Sequence, residues 1–250
     1  MRARSELVSG AASRRPSKRT APALRLPPAE RKALILARAG EFFAEYGLTG
    51  QTRALAEACG VTQRLLYRYF PSKAALLAEV YGEAIVAPFK AVWLVQFKDR
   101  SQPVEERLCT FFSTYYRDVL TRKWLRLFLY ASLAEATMAP DYTQAIILEM
   151  LEVIVAEVAR EQGVSVPRQR RIVHEIGWVL HGTVVHFAIR RHIYGLSKEV
   201  DEDKVIALHV RSFIAGFAAT VEAAKAGESQ RRACWPKPPH RKKLSRQLPT

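Results

Sequence analysis

The stretch that most constrains the fold is residues 51–73, which holds two short helical segments separated by a break. Leu55 and Cys59 lie on one face of the first segment, and Leu66 and Phe70 share a face of the second, because residues four apart are neighbours on a helix. Each segment is too short to be stable alone. The two apolar faces are therefore expected to pack together against a third element.

The break between these segments, residues 59–61, contains Gly60, and glycine adopts the positive φ of a sharp turn without steric cost. Pro71 ends the second segment because proline has no N–H to donate and clashes with the preceding turn. The pattern predicts a helix-turn-helix. The alternative is an ordinary helical hairpin with a solvated polar face.

The outward face of the second segment favours a nucleic-acid partner. It carries hydroxyls, an amide and two guanidinium groups, with no carboxylate, on Thr62, Gln63, Arg64, Tyr67 and Arg68. Glutamine pairs with adenine and arginine with guanine in the major groove, while hydroxyls and lysine reach phosphates. This choice of side chains indicates a helix that reads DNA.

The same residues resemble the DNA-binding domain of TetR-family transcriptional regulators. The resemblance covers about residues 29–77, and it rests on Phe42, Phe43, Gly47, Thr52-Arg53, Leu55-Ala56, Gly60-Val61, Leu66-Tyr67-Arg68-Tyr69-Phe70 and Pro71-Ser72-Lys73. Two features depart from the family pattern. Arg64 and Leu65 replace the usual glycine and small residue, and the loop after Gly47 is about one residue shorter, so the family's operators cannot be transferred to this chain.

The resemblance implies roles for individual side chains in binding an operator. Arg53 and Gln63 fall on positions that contact bases, and Arg64 is an added candidate for that role. Positions that contact the DNA backbone are occupied by Thr52, Tyr67, Tyr69 and Lys73. The predicted DNA-contacting set is Thr52, Arg53, Thr62, Gln63, Arg64, Tyr67, Tyr69 and Lys73.

Charge divides the chain into four parts. Of a net charge of +15, most lies in residues 1–28 and 226–250, each with seven arginines or lysines and one glutamate. Such a distribution is typical of a protein whose one end meets a polyanion. We expect disordered basic tails at 1–28 and 226–250, because these segments are basic and have little to bury. The pattern predicts a helix-turn-helix domain at 29–75, and the resemblance implies a helical ligand-binding and dimerisation domain at 76–225.

The fold is predicted to be all-α, because apolar residues recur at helical spacing along the body and no alternating strand pattern competes. Residues 124–133 are apolar almost all round, which predicts a helix at the centre. Two long helices are expected at about 168–194 and 199–224. The resemblance implies that these two form a four-helix dimer interface, with Phe213 and Gly216 on the contact face. The alternative is an intramolecular core.

The sequence shows no recognisable motif of a metal site or of an enzyme. The six histidines show no HExxH or comparable ligand spacing, and the three cysteines form no CxxC pair. No nucleophile motif or phosphate-binding glycine loop is present. We therefore expect no enzyme, no cofactor and no metal, in a cytoplasmic protein that neither carries a secretory signal nor spans a membrane.

The function expected from the resemblance is that of a homodimeric repressor, released from its DNA operator by a small apolar or aromatic ligand. Candidate ligand-contacting residues are Phe111, Tyr115, Trp124, Phe128, Trp178 and His181, although aromatic side chains equally fill a helical core. The signal would pass through the helix that Ser72 caps. The alternative function is a ligand-independent DNA-binding protein of architectural or nucleoid type.

Overall fold

The computed structural model describes residues 26–134 and 143–234, and within these ranges all regular structure is helical, which confirms the all-α prediction. In this described part, ten α-helices follow in chain order: α1 Pro28–Tyr46, α2 Thr52–Ala58, α3 Gln63–Tyr69, α4 Lys73–Tyr81, α5 Val92–Phe97, α6 Val104–Asp118, α7 Arg122–Leu133, α8 Leu148–Glu161, α9 Arg170–His192 and α10 Glu202–Cys234. Single π-helical turns extend α4 (Gly82–Val86) and precede α8 (Thr143–Ile147).

The first three helices form a compact head around the predicted helix-turn-helix. Leu55 of α2 and Leu66 of α3 are buried against Ile35 and Phe43 of α1. Gly60 has φ +69°, as the turn between α2 and α3 requires. The helix-turn-helix prediction is confirmed.

Helix α4 joins the head to the body. The Ser72 hydroxyl accepts a hydrogen bond from the Ala75 N–H at 3.0 Å, so it caps α4 as predicted. Leu76 and Val80 are buried beneath α1, and the helix passes into its π-helical turn before Pro88. The domain boundary predicted at residue 75 lies inside α4, so the head and the body share this helix.

Helix α7 does not lie at the centre of the body, contrary to the prediction. One face is buried through Trp124, Leu125, Leu127 and Ala131, but Leu133 is 80% exposed and α7 packs mainly on α1 of the head. The apolar run misled the sequence interpretation because its one cation, Arg126, and Arg122 just before it both contact α1. Helices α6, α8, α9 and α10 form the centre of the body instead.

Helix α10 is longer than predicted. The expected end was residue 224, followed by a disordered tail from 226, whereas the helix continues to Cys234. Residues 228–234 contain neither glycine nor proline, and a single glycine at 227 lowers helix stability by only about 1 kcal/mol. Residues 235–250 of this predicted tail, and residues 1–25 of the N-terminal one, lie outside the described residues.

The two longest body helices, α9 and α10, are apolar and long enough to cross a membrane by length and composition alone. Core helices of soluble proteins pass the same test. In this fold α9 packs on α6, α7, α8 and α10, and α10 packs on α6, α8 and α9.

Phe213 of α10 is buried inside the body, so its predicted place on a contact face is wrong, whereas Gly216 is exposed.

A buried charge network, which the sequence pattern did not reveal, anchors the start of α6 to α8. The Arg107 guanidinium donates to Glu157 at 3.0 Å, and both side chains are less than a tenth exposed. Arg100 donates two further bonds to Glu157, at 2.7 and 3.1 Å. These bonds outweigh the effect of burial and lower the pKa of Glu157 to about 2. Glu157 is therefore ionised throughout the neutral range.

We predict that Glu157→Gln lowers the free energy of unfolding by roughly 3 kcal/mol at pH 7, because about 1.4 kcal/mol accompanies each unit of pKa shift. A depressed carboxyl pKa stabilises the fold above the unfolded value of 4.5, and this contribution is lost as the pH falls towards 2. Denaturant unfolding at several pH values measures it. The difference between wild type and Glu157→Gln should shrink below pH 4.5, whereas Glu149→Gln, at an exposed site, should match wild type at every pH. A difference that is the same at neutral pH and at a pH near 2 would contradict this account.

Candidate nucleic-acid interface and buried cavity

The outward face of α3 is exposed as the sequence predicts. The Thr62 hydroxyl accepts a hydrogen bond from the Leu65 N–H at 3.2 Å and so caps α3. Gln63 and Arg64 occupy the first turn of α3, and their side chains are exposed. Because the Thr62 cap fixes where α3 begins, these two side chains point in a defined direction, as base recognition requires.

Helices α2 and α3 are linked across this face by two of the predicted DNA-contacting residues. The Tyr67 hydroxyl lies 3.4 Å from the Thr52 hydroxyl, at the start of α2. Arg53 pairs with Glu57 at 3.3 Å, but both side chains are highly exposed, so a phosphate or base can displace Glu57 at little cost. Tyr69 is half-buried beside Phe70.

Lys73 has a structural contact in addition to its predicted contact with DNA. Its ammonium donates to the Gly50 carbonyl at 2.7 Å and lies 5.9 Å from the centre of the Phe43 ring. Lys73 thereby ties the loop between α1 and α2 to the start of α4. An ammonium has three donors, so two remain for other acceptors.

Arg38 of α1 positions the turn, a role that sequence reasoning missed. Its guanidinium donates to the Cys59 carbonyl at 3.3 Å, where α2 ends. A Cβ added at Gly60 would lie 2.7 Å from the same guanidinium, so the turn accepts only glycine without rearrangement. Nothing in the helical pattern distinguished Arg38 from other exposed cations of α1.

Five of the six predicted ligand-contacting residues line one cavity of about 210 Å³ inside the body, which we call the central cavity. They are Tyr115, Trp124, Phe128, Trp178 and His181, and the remaining wall is almost wholly apolar. Phe111 is the exception. Its ring stacks on Tyr115 with centroids 6.2 Å apart, but it lines a different cavity.

His181 is the main polar group of the central cavity. It is 5% exposed, and its Nε2 lies 3.2 Å from the Tyr115 hydroxyl. Its Nδ1 has no hydrogen-bond partner within residues 26–134 and 143–234. Burial lowers the pKa of His181 to about 3, so the ring is neutral. No lysine or arginine lines the cavity, whose described wall is therefore uncharged.

Helix α7 contacts the central cavity and the head at once. The stacked rings of Trp124 and Phe128 form part of the cavity wall. The Trp124 indole donates to the Ile85 carbonyl at 3.1 Å, in the π-helical turn that extends α4. Arg126 donates to two main-chain carbonyls at the end of α1, those of Ala44 and Glu45, the latter at 2.7 Å. Sequence reasoning did not identify Arg126, because its partners are main-chain atoms.

The described side chains offer no constellation for a metal ion. No group of three or more histidine, cysteine, aspartate or glutamate residues is arranged to hold one in that part of the chain. Cys59 is buried beside α1, and burial raises the pKa of its thiol. The features that remain as candidate sites are the face of α2 and α3 and the cavities of the body.

Comparison with known proteins agrees with this geometry. Residues 35–80, which span the helix-turn-helix, match the family model for bacterial regulatory proteins of the tetR family. No curated protein is similar enough in sequence to count as a relative.

Solved structures resemble the fold over most of its length. A TetR-like transcriptional regulator from Rhodococcus sp. RHA1 is 20% identical, with a TM-score of 0.57 over 78% of this chain and 99% of that one. The fatty acid degradation regulator FadR from Bacillus halodurans is 16% identical, with a TM-score of 0.56 over 76% and 96%. The TetR family regulator PfmR from Thermus thermophilus is 20% identical, with a TM-score of 0.53 over 72% and 97%. At such identities the likeness establishes the fold.

Proposed function

We propose that this protein is a homodimeric repressor of the tetR family of bacterial regulatory proteins, whose family model residues 35–80 match. It leaves its operator when a small apolar or aromatic ligand enters the central cavity. The match of residues 35–80 supports DNA binding and the regulation of transcription. The repressor role, the ligand and the residues that contact DNA are the proposal.

The observation that supports operator binding best is the face of α3. Its exposed side chains are polar or cationic, it carries no carboxylate, and the Thr62 cap and the Tyr67–Thr52 contact hold it in place. We assign base contacts to Arg53, Gln63 and Arg64. Phosphate contacts are assigned to Thr52, Thr62, Tyr67, Tyr69 and Lys73.

The proposed dimer interface is the apolar stripe that α9 and α10 expose. Val179 on α9 is 53% exposed and Leu208 on α10 is 61% exposed. Gly216 of α10 is exposed and has open space where a Cβ would be, which allows a helix of a second copy to approach closely. A two-fold partner would pair the two heads and make the operator an inverted repeat.

The chemistry of the central cavity favours an uncharged ligand. A cavity of about 150 Å³ accommodates benzene in another protein, so about 210 Å³ suits a molecule of one or two rings. FadR from Bacillus halodurans is a regulator of fatty acid degradation. The described wall of this cavity offers no cation for a free carboxylate, and the neutral His181 offers one hydrogen-bonding nitrogen, so we favour an aromatic or apolar molecule with a single polar group.

The proposed switch runs through α7. A ligand that displaces Trp124 or Phe128 moves a helix that holds both the end of α1, through Arg126, and the π-helical turn that extends α4, through the Ile85 carbonyl. Helix α4, which Ser72 caps, would therefore be displaced from its C-terminal end. The ligand must bind the DNA-incompetent arrangement more tightly, since equal affinity shifts no equilibrium.

We predict that Gln63→Ala relaxes operator specificity, because a base contact supplies roughly 1–3 kcal/mol of discrimination. Lys73→Ala should weaken operator and random DNA alike, because it loses a phosphate contact and releases the Gly50 loop. Footprinting upstream of the protein's own gene, with binding titrations at several salt concentrations, measures both. Arg160→Ala, at an exposed site on α8 outside both the head and the proposed dimer interface, is the control and should match wild type.

Two results would contradict these roles. If both variants weakened operator and random DNA equally, Gln63 would not read bases. If the wild type bound DNA without any sequence preference, the alternative of an architectural or nucleoid protein would be correct.

We predict that Leu208→Glu splits the dimer and lowers operator affinity, because it places two like charges in a desolvated interface. Sedimentation and operator titration measure the two effects. Leu133→Glu is the matched control, since Leu133 is an even more exposed leucine that lies on α7. An unchanged dimer in Leu208→Glu would place the interface elsewhere.

A further inference from the structure

We propose that the body holds a second ligand site, for an organic cation, in the cavity between α5 and the first half of α6. This cavity has a volume of about 220 Å³, and Phe111 of its wall stacks on Tyr115, which lines the central cavity. The proposal does not depend on DNA binding or on the ligand of the central cavity.

The floor of this second cavity is aromatic. Trp93 and Phe97 of α5 and Phe111 of α6 contribute to its wall, and each of the three side chains is more than nine-tenths buried. The rings of Phe97 and Phe111 pack on each other with 5.8 Å between their centroids, and the Trp93 indole packs on Phe89 at 5.7 Å. Rigid aromatic faces attract cations through their quadrupoles and exclude the water that would otherwise solvate them.

The rim of the second cavity supplies negative charge. Asp99 and Glu106 are exposed carboxylates of the wall, and neither forms a salt bridge within residues 26–134 and 143–234. The Asp99 carboxylate accepts only the Ser101 N–H among the bonds described, at 3.1 Å. The remaining rim consists of amide and hydroxyl side chains, which hydrogen-bond to polar ligands without opposing a cation.

Cations already present do not neutralise this rim. Arg107 lines the cavity, but its guanidinium is occupied by Glu157, by Glu161 and by the carbonyls of Phe97 and Gln102. Arg100 is bound to Glu157 by two hydrogen bonds. These two arginines and two glutamates therefore balance one another.

Lys90 is the one further cation described in contact with the floor. Its ammonium lies 5.9 Å from the centre of the Trp93 ring, on an exposed and flexible side chain. The position shows that the indole face attracts a positive charge. With Lys90 counted, the walls still carry a net negative charge, which argues for a cationic ligand and against an anionic one.

The shape and chemistry together define the ligand class as a quaternary or protonated amine with an apolar body of about ten non-hydrogen atoms. The apolar body would contact Trp93 and Phe111, and the positive centre would lie near Asp99 and Glu106. Because Phe111 stacks on Tyr115, an occupant would also contact the wall that separates the two cavities.

The experiment uses the full-length protein labelled with 5-fluorotryptophan and fluorine NMR. Trp93 reports on the second cavity, while Trp124 and Trp178 report on the central one, and Trp93→Phe assigns the first resonance. The probe is benzyltrimethylammonium chloride. Its uncharged counterpart is 2-methyl-1-phenylpropan-2-ol, which has nearly the same shape. We expect the cation to shift the Trp93 resonance with saturation below about 10 mM, and the alcohol to bind at least roughly tenfold more weakly.

Charge-removing variants test the rim. Asp99→Asn with Glu106→Gln should weaken binding of the cation roughly tenfold and leave the affinity for the alcohol unchanged. Glu149→Gln, an exposed glutamate of α8 outside the cavity, should bind the cation as wild type does. The proposal is overturned by the absence of a saturable Trp93 shift, by equal affinities for cation and alcohol, or by an unchanged affinity in the double variant. It is equally overturned if the cation shifts Trp124 or Trp178 and not Trp93.

Discussion

The contact between Arg126 and the end of α1 is the interaction on which the proposed switch depends. The last turn of α1 contains no cation of its own, and its terminal carbonyls carry the negative end of the helix dipole. Arg126 supplies the missing positive charge from α7, where it donates to the carbonyls of Ala44 and Glu45. Arg122 adds a bond to the Glu45 carboxylate at 3.1 Å, and this bond, together with the nearby Arg126, lowers the pKa of that carboxyl. The head is therefore held by a helix of the body.

The rest of the body provides a rigid frame for that contact. The buried pair of Arg107 and Glu157 fixes α6 to α8, and Asp203 of α10 accepts hydrogen bonds from Ser113 and Arg117 of α6. A buried ion pair is costly to break because the partner left behind is an unpaired charge. Within this frame α7 has one face on the central cavity and another on the head. A ligand of the proposed switch that displaced Trp124 would therefore act on the contacts of α7 with α1 and with the π-helical turn after α4.

The sequence predicted those parts of the molecule whose physical causes are local. The turn at Gly60, the Ser72 cap and the burial of Leu55 and Leu66 each follow from residues within one or two helical turns. Five aromatic or histidine positions that line the central cavity were also named as candidates, but that choice came from the family resemblance, since helical spacing alone left open whether these side chains line a cavity or fill a core. Phe111 shows the limit of that reasoning, since spacing along α6 cannot tell which side of Tyr115 a ring occupies.

The interactions that the sequence did not reveal all join residues far apart in the chain. Arg38 contacts the carbonyl of Cys59, and Arg126 contacts carbonyls some eighty residues earlier. Every residue has a main-chain carbonyl, so the sequence does not indicate which ones these arginines bind. The position of α7 was wrong for a related reason. An apolar run predicts burial but does not say against what, and α7 is buried against α1 on one side only.

The central claim, that α7 sets the position of the head through Arg126, can be tested without knowledge of the ligand or the operator. Spin labels placed at Glu41→Cys, an exposed site on α1, would report the distance between the two heads of the proposed dimer by pulsed electron paramagnetic resonance, with Cys109 and Cys234 replaced by serine. The account predicts that Arg126→Met shifts or broadens this distance distribution, while labels at an exposed site of α8 such as Glu149→Cys keep theirs. An Arg126→Met protein with an unchanged distance between the heads would contradict it.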